Sequence, residues 1–126
     1  MTNETPLLRQ IHPDWFQQGR LTSQAFRPFP KDKNRLSVYD GDLITSENSW
    51  THFTVELQYV SIGVMAVTVE ECLLHGLPAL PDPKPFPSHA IIDFTGLGRN
   101  QVEKKAKRLR DAAVKRDWLF RAEDAA

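Results

Sequence analysis

The sequence predicts an α+β domain in which a small mixed sheet of about four or five strands carries three helices, the last of them long and basic. Three observations predict it. Residues 60–67 form a nearly unbroken apolar run of strand length. Thr68 and Glu71 just behind it have the spacing of a reciprocal capping box. Over residues 99–117, Val102, Ala106, Leu109 and Ala113 recur on one helical face. The 126 residues are of a length for one domain, spanning 1–126.

The elements follow in order. Leu7 to Ile11 reads as an opening strand closed by Pro13, and Asp14-Trp15-Phe16 as a turn. Residues 19–26 read as a second extended piece. The two prolines of residues 27–34 keep that stretch out of a sheet centre, so it is predicted as a structured loop. Arg35 to Tyr39 alternates polar and apolar before the turn signal Asp40-Gly41. Thr45 or Ser46 caps a helix over residues 47–58, with Trp50, Phe53 and Leu57 directed to the core. Residues 60–67 are placed centrally in the sheet, and Gly76 ends the short helix that follows.

Five prolines make residues 77–88 an extended surface connector. Residues 89–94 form a strand, predicted as a parallel neighbour of residues 60–67 through a right-handed crossover. Gly96-Leu97-Gly98 then turns the chain into the last helix, and Trp118-Leu119-Phe120 adds an edge strand or packs over the core.

The formal net charge is zero, but the charges are segregated. Between Asp40 and Pro83 stand seven acidic residues and no Lys or Arg, whereas between Arg99 and Arg121 nine basic residues face three acidic ones. Such blocks either attract each other within the fold or steer a partner. No apolar run reaches the ~20 residues of a membrane span, and the N-terminus lacks a basic and apolar leader pattern. With a single cysteine, Cys72, read as a buried small hydrophobe, the expected setting is the cytoplasm.

Among candidate sites, the N-terminal third interleaves polar groups with prolines and phenylalanines. Arg9, His12, Thr22, Ser23 and Arg27, joined by His89, form a candidate cationic site for a phosphate, carboxylate or nucleotide. The Gly96-Leu97-Gly98 turn lacks the third glycine of a dinucleotide fingerprint and reads as a plain strand-to-helix turn. The outer face of the last helix presents Lys104, Lys107, Arg108 and Lys115 as a candidate interaction surface, with Asp111 in its middle. The four histidines have no metal-ligand spacing, so no metal and no cofactor is implied.

The stretches Arg9-Gln10-Ile11-His12-Pro13, Thr22-Ser23-Gln24-Ala25-Phe26-Arg27-Pro28, Leu36-Ser37-Val38-Tyr39-Asp40-Gly41-Asp42 and His89-Ala90-Ile91-Ile92-Asp93-Phe94 resemble a group of short, uncharacterised bacterial proteins. The resemblance spans nearly the whole chain and implies a bacterial cytosolic origin; it carries over no site residue. Three functional readings remain. The first is a small interaction module, an accessory or neutralising partner of another protein. The second is a nucleotide- or phosphate-using enzyme, of the NAD-using transferase kind, with its site in the N-terminal cluster. The third, a nucleic-acid binder through the last helix, ranks below both because the chain is neutral and no recognition motif is present.

Overall fold

The computed structural model describes residues 1–122, and within them the α+β class holds. The strands are β1 (Pro6–Gln10), β2 (Phe16–Gln17), β3 (Arg20–Leu21), β4 (Arg35–Asp40), β5 (Gly63–Thr68), β6 (Ala79–Pro81), β7 (His89–Asp93) and β8 (Phe120–Arg121). The helices are α1 (Ser46–Thr51), α2 (Val69–Leu74) and α3 (Arg99–Arg116). Six strands form the main sheet in the order β6-β7-β4-β1-β5-β8, while β2 and β3 make a separate small hairpin.

Every pairing in the main sheet is antiparallel, in contrast to the mixed sheet of four or five strands expected from sequence. β4 and β1 lie between β5 and β7, so the parallel neighbours expected from sequence are not neighbours at all. At one edge β8 takes up the edge-strand alternative for residues 118–120, and at the other stands a strand the sequence did not suggest. β6 comes from within the proline-rich segment, which is therefore only partly a connector; pairing on one side alone, an outer strand tolerates proline.

Alternation along the strands sends side chains to two cores. Leu7, Leu36, Val38, Met65, Val67, Ala90 and Ile92 face a larger one, closed by α2, α3 and the loops of the N-terminal third. Leu8, Tyr39, Val64 and Ala66 face a smaller one, closed by Trp50, Phe53, Phe86 and Phe120. β5 is thus buried on both faces, which is why its sequence is continuously apolar. Residue 60, by contrast, stands outside the strand, with Val60 58% exposed.

The helix ends follow their caps. Thr45 accepts from the Asn48 N–H at the start of α1, and the Thr68–Glu71 box closes in both directions, at 3.1 and 2.8 Å, at the start of α2. α1 runs into a wider π turn over His52–Glu56, where the Leu57 N–H bonds back to the His52 carbonyl. The wider turn carries later residues off the apolar face. Trp50 and Phe53 pack on the sheet as expected, but Leu57 is exposed. A buried polar chain fixes α1 to the sheet: Gln10 Nε2 donates to Ser49 Oγ at 3.0 Å, and Ser61 Oγ donates to Gln10 Oε1 at 2.9 Å.

Gly63 marks a close backbone approach. A Cβ there would stand 2.5 Å from the Phe120 carbonyl oxygen and 2.8 Å from the Trp118 ring. Gly63→Ala therefore has to push β8 and Trp118 away, and urea unfolding should show a loss of about 1–3 kcal/mol. An unchanged midpoint would mean that β8 yields freely.

Candidate functional site

The N-terminal residues singled out above do not converge on one pocket. Arg9 lies on β1, on the face of the larger core, where β1 and β4 part after two paired residues. Its Nε donates to the Ala25 carbonyl at 2.7 Å and its Nη1 to the Ser37 carbonyl at 2.9 Å. The guanidinium also stacks 5.0 Å from the Trp15 ring. Burial pulls it down to about 10, still far enough above neutrality to keep its charge. Arg9 therefore holds loops to the sheet, with two of its five N–H groups given to main-chain carbonyls. Thr22 and His12 are likewise engaged locally. Thr22 Oγ1 donates to the Trp15 carbonyl at 3.0 Å, and His12 Nδ1 accepts from the Asp14 N–H at 3.0 Å to cap a short 3-10 turn.

Ser23 and Arg27 do come together, on a residue that sequence reasoning passed over. Ser23 Oγ donates to Glu103 Oε1 at 2.7 Å, and Arg27 Nη1 lies 2.9 Å from Glu103 Oε2. Glu103 belongs to α3, so the 3-10 turn over Ser23–Phe26 and the loop after it are pinned to that helix. The hydrogen bond from Ser23 holds the Glu103 carboxyl below the usual glutamate range; burial opposes this, and the charges of Arg27 and Lys107 assist it.

Beside this contact opens a cleft of about 770 Å³ between the loop carrying Arg27 and Phe29 and the start of α3 at Arg99 and Asn100. Gly98 occupies the N-cap of α3 and contributes no side-chain hydrogen bond, and no acidic residue stands in the first turn. The backbone does not demand glycine there: its φ is −72° and a Cβ would meet nothing within 4 Å. The positive φ of this turn belongs to Gly96. Two features read separately in the sequence, the proline-anchored loop and the Gly96-Leu97-Gly98 turn, thus border one cleft.

His89 sits on the other face of the sheet, with the smaller core. Its Nε2 lies 3.1 Å from Ser37 Oγ and its Nδ1 lies 2.9 Å from the Asp82 carbonyl oxygen and 3.4 Å from its carboxylate. Phe86 packs against His89, His52 and Tyr39 in one aromatic group, and Tyr39 Oη meets His52 Nδ1 at 2.8 Å. Burial, then the charge of Glu56, raises the Tyr39 hydroxyl, which stays protonated at neutral pH. Neither Ser37 nor Asp82 carries a sequence signal, because it takes the β4–β7 pairing to bring Ser37 to His89 and the β6–β7 pairing to bring Asp82 there.

No family model, curated protein or solved structure matches this chain.

On α3, Lys104, Lys107, Arg108 and Lys115 are all exposed, and none takes part in an ion pair among the described residues. A bidentate pair between Arg116 and Glu71, at 2.8 and 3.0 Å, is the one link between the acidic and basic stretches among the described ion pairs. Burial raises Glu71, but the Arg116 and Thr68 hydrogen bonds outweigh it and leave the carboxyl below its usual range. Cys72 is buried, and burial with the neighbouring Glu71 pushes its thiol up to about 12, as suits a small core residue. Among the described residues no group of three or more His, Cys, Asp or Glu side chains gathers to hold a metal, and no helix is long and apolar enough to cross a membrane.

Two expectations follow. Glu71 and Glu103 both have depressed folded values, so their stabilisation is complete above the unfolded glutamate value of ~4.3 and is lost as pH falls through the folded ones. Resistance to urea should fall as pH drops below about 4.3, and Ser23→Ala should flatten part of that slope. An identical slope in the variant would remove Glu103 from the account. Arg9→Met should destabilise by about 1 kcal/mol or more, because the half-buried Ala25 carbonyl and the Ser37 carbonyl lose their charged donor, and Arg9→Lys should fail to restore it for want of a planar fork. Full restoration by lysine would mean that charge alone suffices.

Proposed function

We propose that this chain is a small interaction module that docks an acidic protein surface on the exposed face of α3. The observation that carries the reading is that, among the described ion pairs, Arg116–Glu71 alone joins the two charge blocks, which leaves the outer lysines and Arg108 of α3 without an acidic partner. α1 and its π turn carry Glu47 and Glu56 on one side of the sheet, and α3 carries Lys104, Lys107, Arg108 and Lys115 on the other. Unpaired lysines and arginines along one helix face give fast, oriented capture of an acidic partner and a salt-sensitive complex. An accessory or neutralising role beside another bacterial cytosolic protein is the setting we propose for it.

A second reading is favoured by the cleft beside Arg27. Arg99, Arg27 and the uncapped first turn of α3 would suit a small anion such as a nucleotide phosphate. Glu103 already holds Arg27 there, so an incoming anion must compete with a carboxylate. That competition ranks this reading second.

Affinity purification from the native host at low ionic strength separates the readings. A stoichiometric acidic protein should co-purify, elute as salt is raised, and be lost in a Lys104→Glu, Lys107→Glu, Arg108→Glu variant. A chain that elutes alone at low salt would overturn the module, and co-purifying nucleic acid with a steep salt dependence would replace it. For the cleft, a nucleotide or pyrophosphate at 100 times its dissociation constant should add ~2.7 kcal/mol of stability. Gly98→Asp should abolish that gain while itself stabilising α3 by about 0.5 kcal/mol. Absence of any thermal shift would dismiss the cleft as a ligand site.

A further inference from the structure

We propose that Ser37, His89 and Asp82 form a nucleophilic relay that accepts an acyl group from small activated carboxylic esters. The placement comes from the sheet. β4 and β7 pair with Tyr39 opposite His89 and Ser37 opposite Ile91, so Ser37 and His89 are diagonal neighbours on one face. A diagonal of roughly 7–8 Å between backbones is a span that an imidazole bridges, and Nε2 does reach Ser37 Oγ at 3.1 Å.

The ring's tautomer follows from its other nitrogen. Nδ1 stands 2.9 Å from the Asp82 carbonyl oxygen, which can only accept, so in the neutral ring Nδ1 carries the hydrogen and Nε2 presents a lone pair. The Ser37 hydroxyl then donates to Nε2, which is the arrangement a general base needs. The Asp82 carboxylate, 3.4 Å from Nδ1, places a negative charge where the ring becomes positive. The loop that carries Asp82 is closed at its base: the Asp82 N–H donates to the His89 carbonyl at 3.0 Å, and the His89 N–H to the Phe86 carbonyl at 3.1 Å. Phe86 also covers the ring, whose side chain is 10% exposed, while Ser37 is open to solvent. The base is shielded and the nucleophile is accessible.

The reaction needs only these side chains, the ester and one water. Ser37 Oγ adds to the ester carbonyl carbon as its proton passes to Nε2. The tetrahedral intermediate collapses with loss of the alcohol, which takes that proton, and leaves an ester on Ser37. Water then adds to this ester, again through Nε2, and releases the carboxylic acid with Ser37 restored. The Ser37 carbonyl is held by Arg9, and the strand offers no loop of free N–H groups to a developing oxyanion. Arg35, two residues back on the same face and so about 7 Å along the strand, is the cation placed to help. With oxyanion support this weak, the relay is suited to esters with good leaving groups.

The test uses p-nitrophenyl acetate and an alkyl fluorophosphonate on the intact protein, with the modified residue located by peptide mass spectrometry. Ser37 should be acylated and phosphonylated in the native protein at least about 100-fold faster than in the same chain unfolded in urea. His89→Gln should lose that advantage while keeping its circular dichroism. Asp82→Asn, which retains the main-chain carbonyl, should slow labelling less than tenfold. Ser37→Ala, at an exposed position, should remain folded and show no label on this peptide. Native labelling no faster than in urea, or equal labelling in a folded His89→Gln, would overturn the relay. The comparison with urea decides the matter even if His89→Gln does not fold.

Discussion

The guanidinium of Arg9 closes a gap that the sheet leaves open. β1 pairs with β5 along its whole length but with β4 over only two residues, so past that point carbonyls on β4 and on the Ser23–Phe26 turn face each other without backbone donors between them. One planar cation with donors at fixed angles satisfies both. It also stacks on Trp15, whose carbonyl in turn receives Thr22. This tie helps to seat the N-terminal loops on the larger core, from which Ser23 and Arg27 reach α3, and it anchors the Ser37 carbonyl on the side of β4 away from β7. A residue typed by sequence as a ligand group is instead the fastener between two layers.

The two faces of the sheet are held by different physics. The side under α3 is a continuous apolar core that includes Phe26, Phe94, Leu77 and Leu109. The side under α1 has a small core and relies on Gln10, Ser49, Ser61 and Trp50 to tie the helix down, with the Trp50 indole donating to the Ser61 carbonyl at 2.9 Å. Buried hydrogen bonds specify geometry because a misplaced helix would leave them unmade. That side also carries the exposed Val55, Tyr59 and Val60, beyond the point where the π turn leaves the sheet.

Much of this architecture was legible in the residues. The capping box at Thr68, the Thr45 cap, the strand at residues 89–94 and the docking face of α3 depend on local spacing, and local spacing survives folding. Sheet order did not, because whether residues 60–67 lie beside residues 89–94 depends on where β1 and β4 insert. β6 was hidden by its prolines, and the slip of Leu57 by a π turn that no simple periodicity encodes. The contacts of the candidate site were not legible. Ser23 and Arg27 stand out in the sequence as polar groups on an anchored loop, but their counterpart, Glu103, is 80 residues from Ser23. Ser37 and Asp82 have no distinguishing neighbours at all, and acquire interest only when cross-strand pairing brings His89 between them.

The outermost strands have a consequence for crowding. A sheet of this width would ordinarily end in rows of unsatisfied amides that recruit other chains. Here one margin is a three-residue strand ending in Pro81 and preceded by Pro78, and the other is the two-residue pair Phe120–Arg121. Each margin is too short to template a growing fibril, and proline removes donors from one of them. Short margins of this kind leave copies of this chain at high concentration little edge on which their sheets could merge.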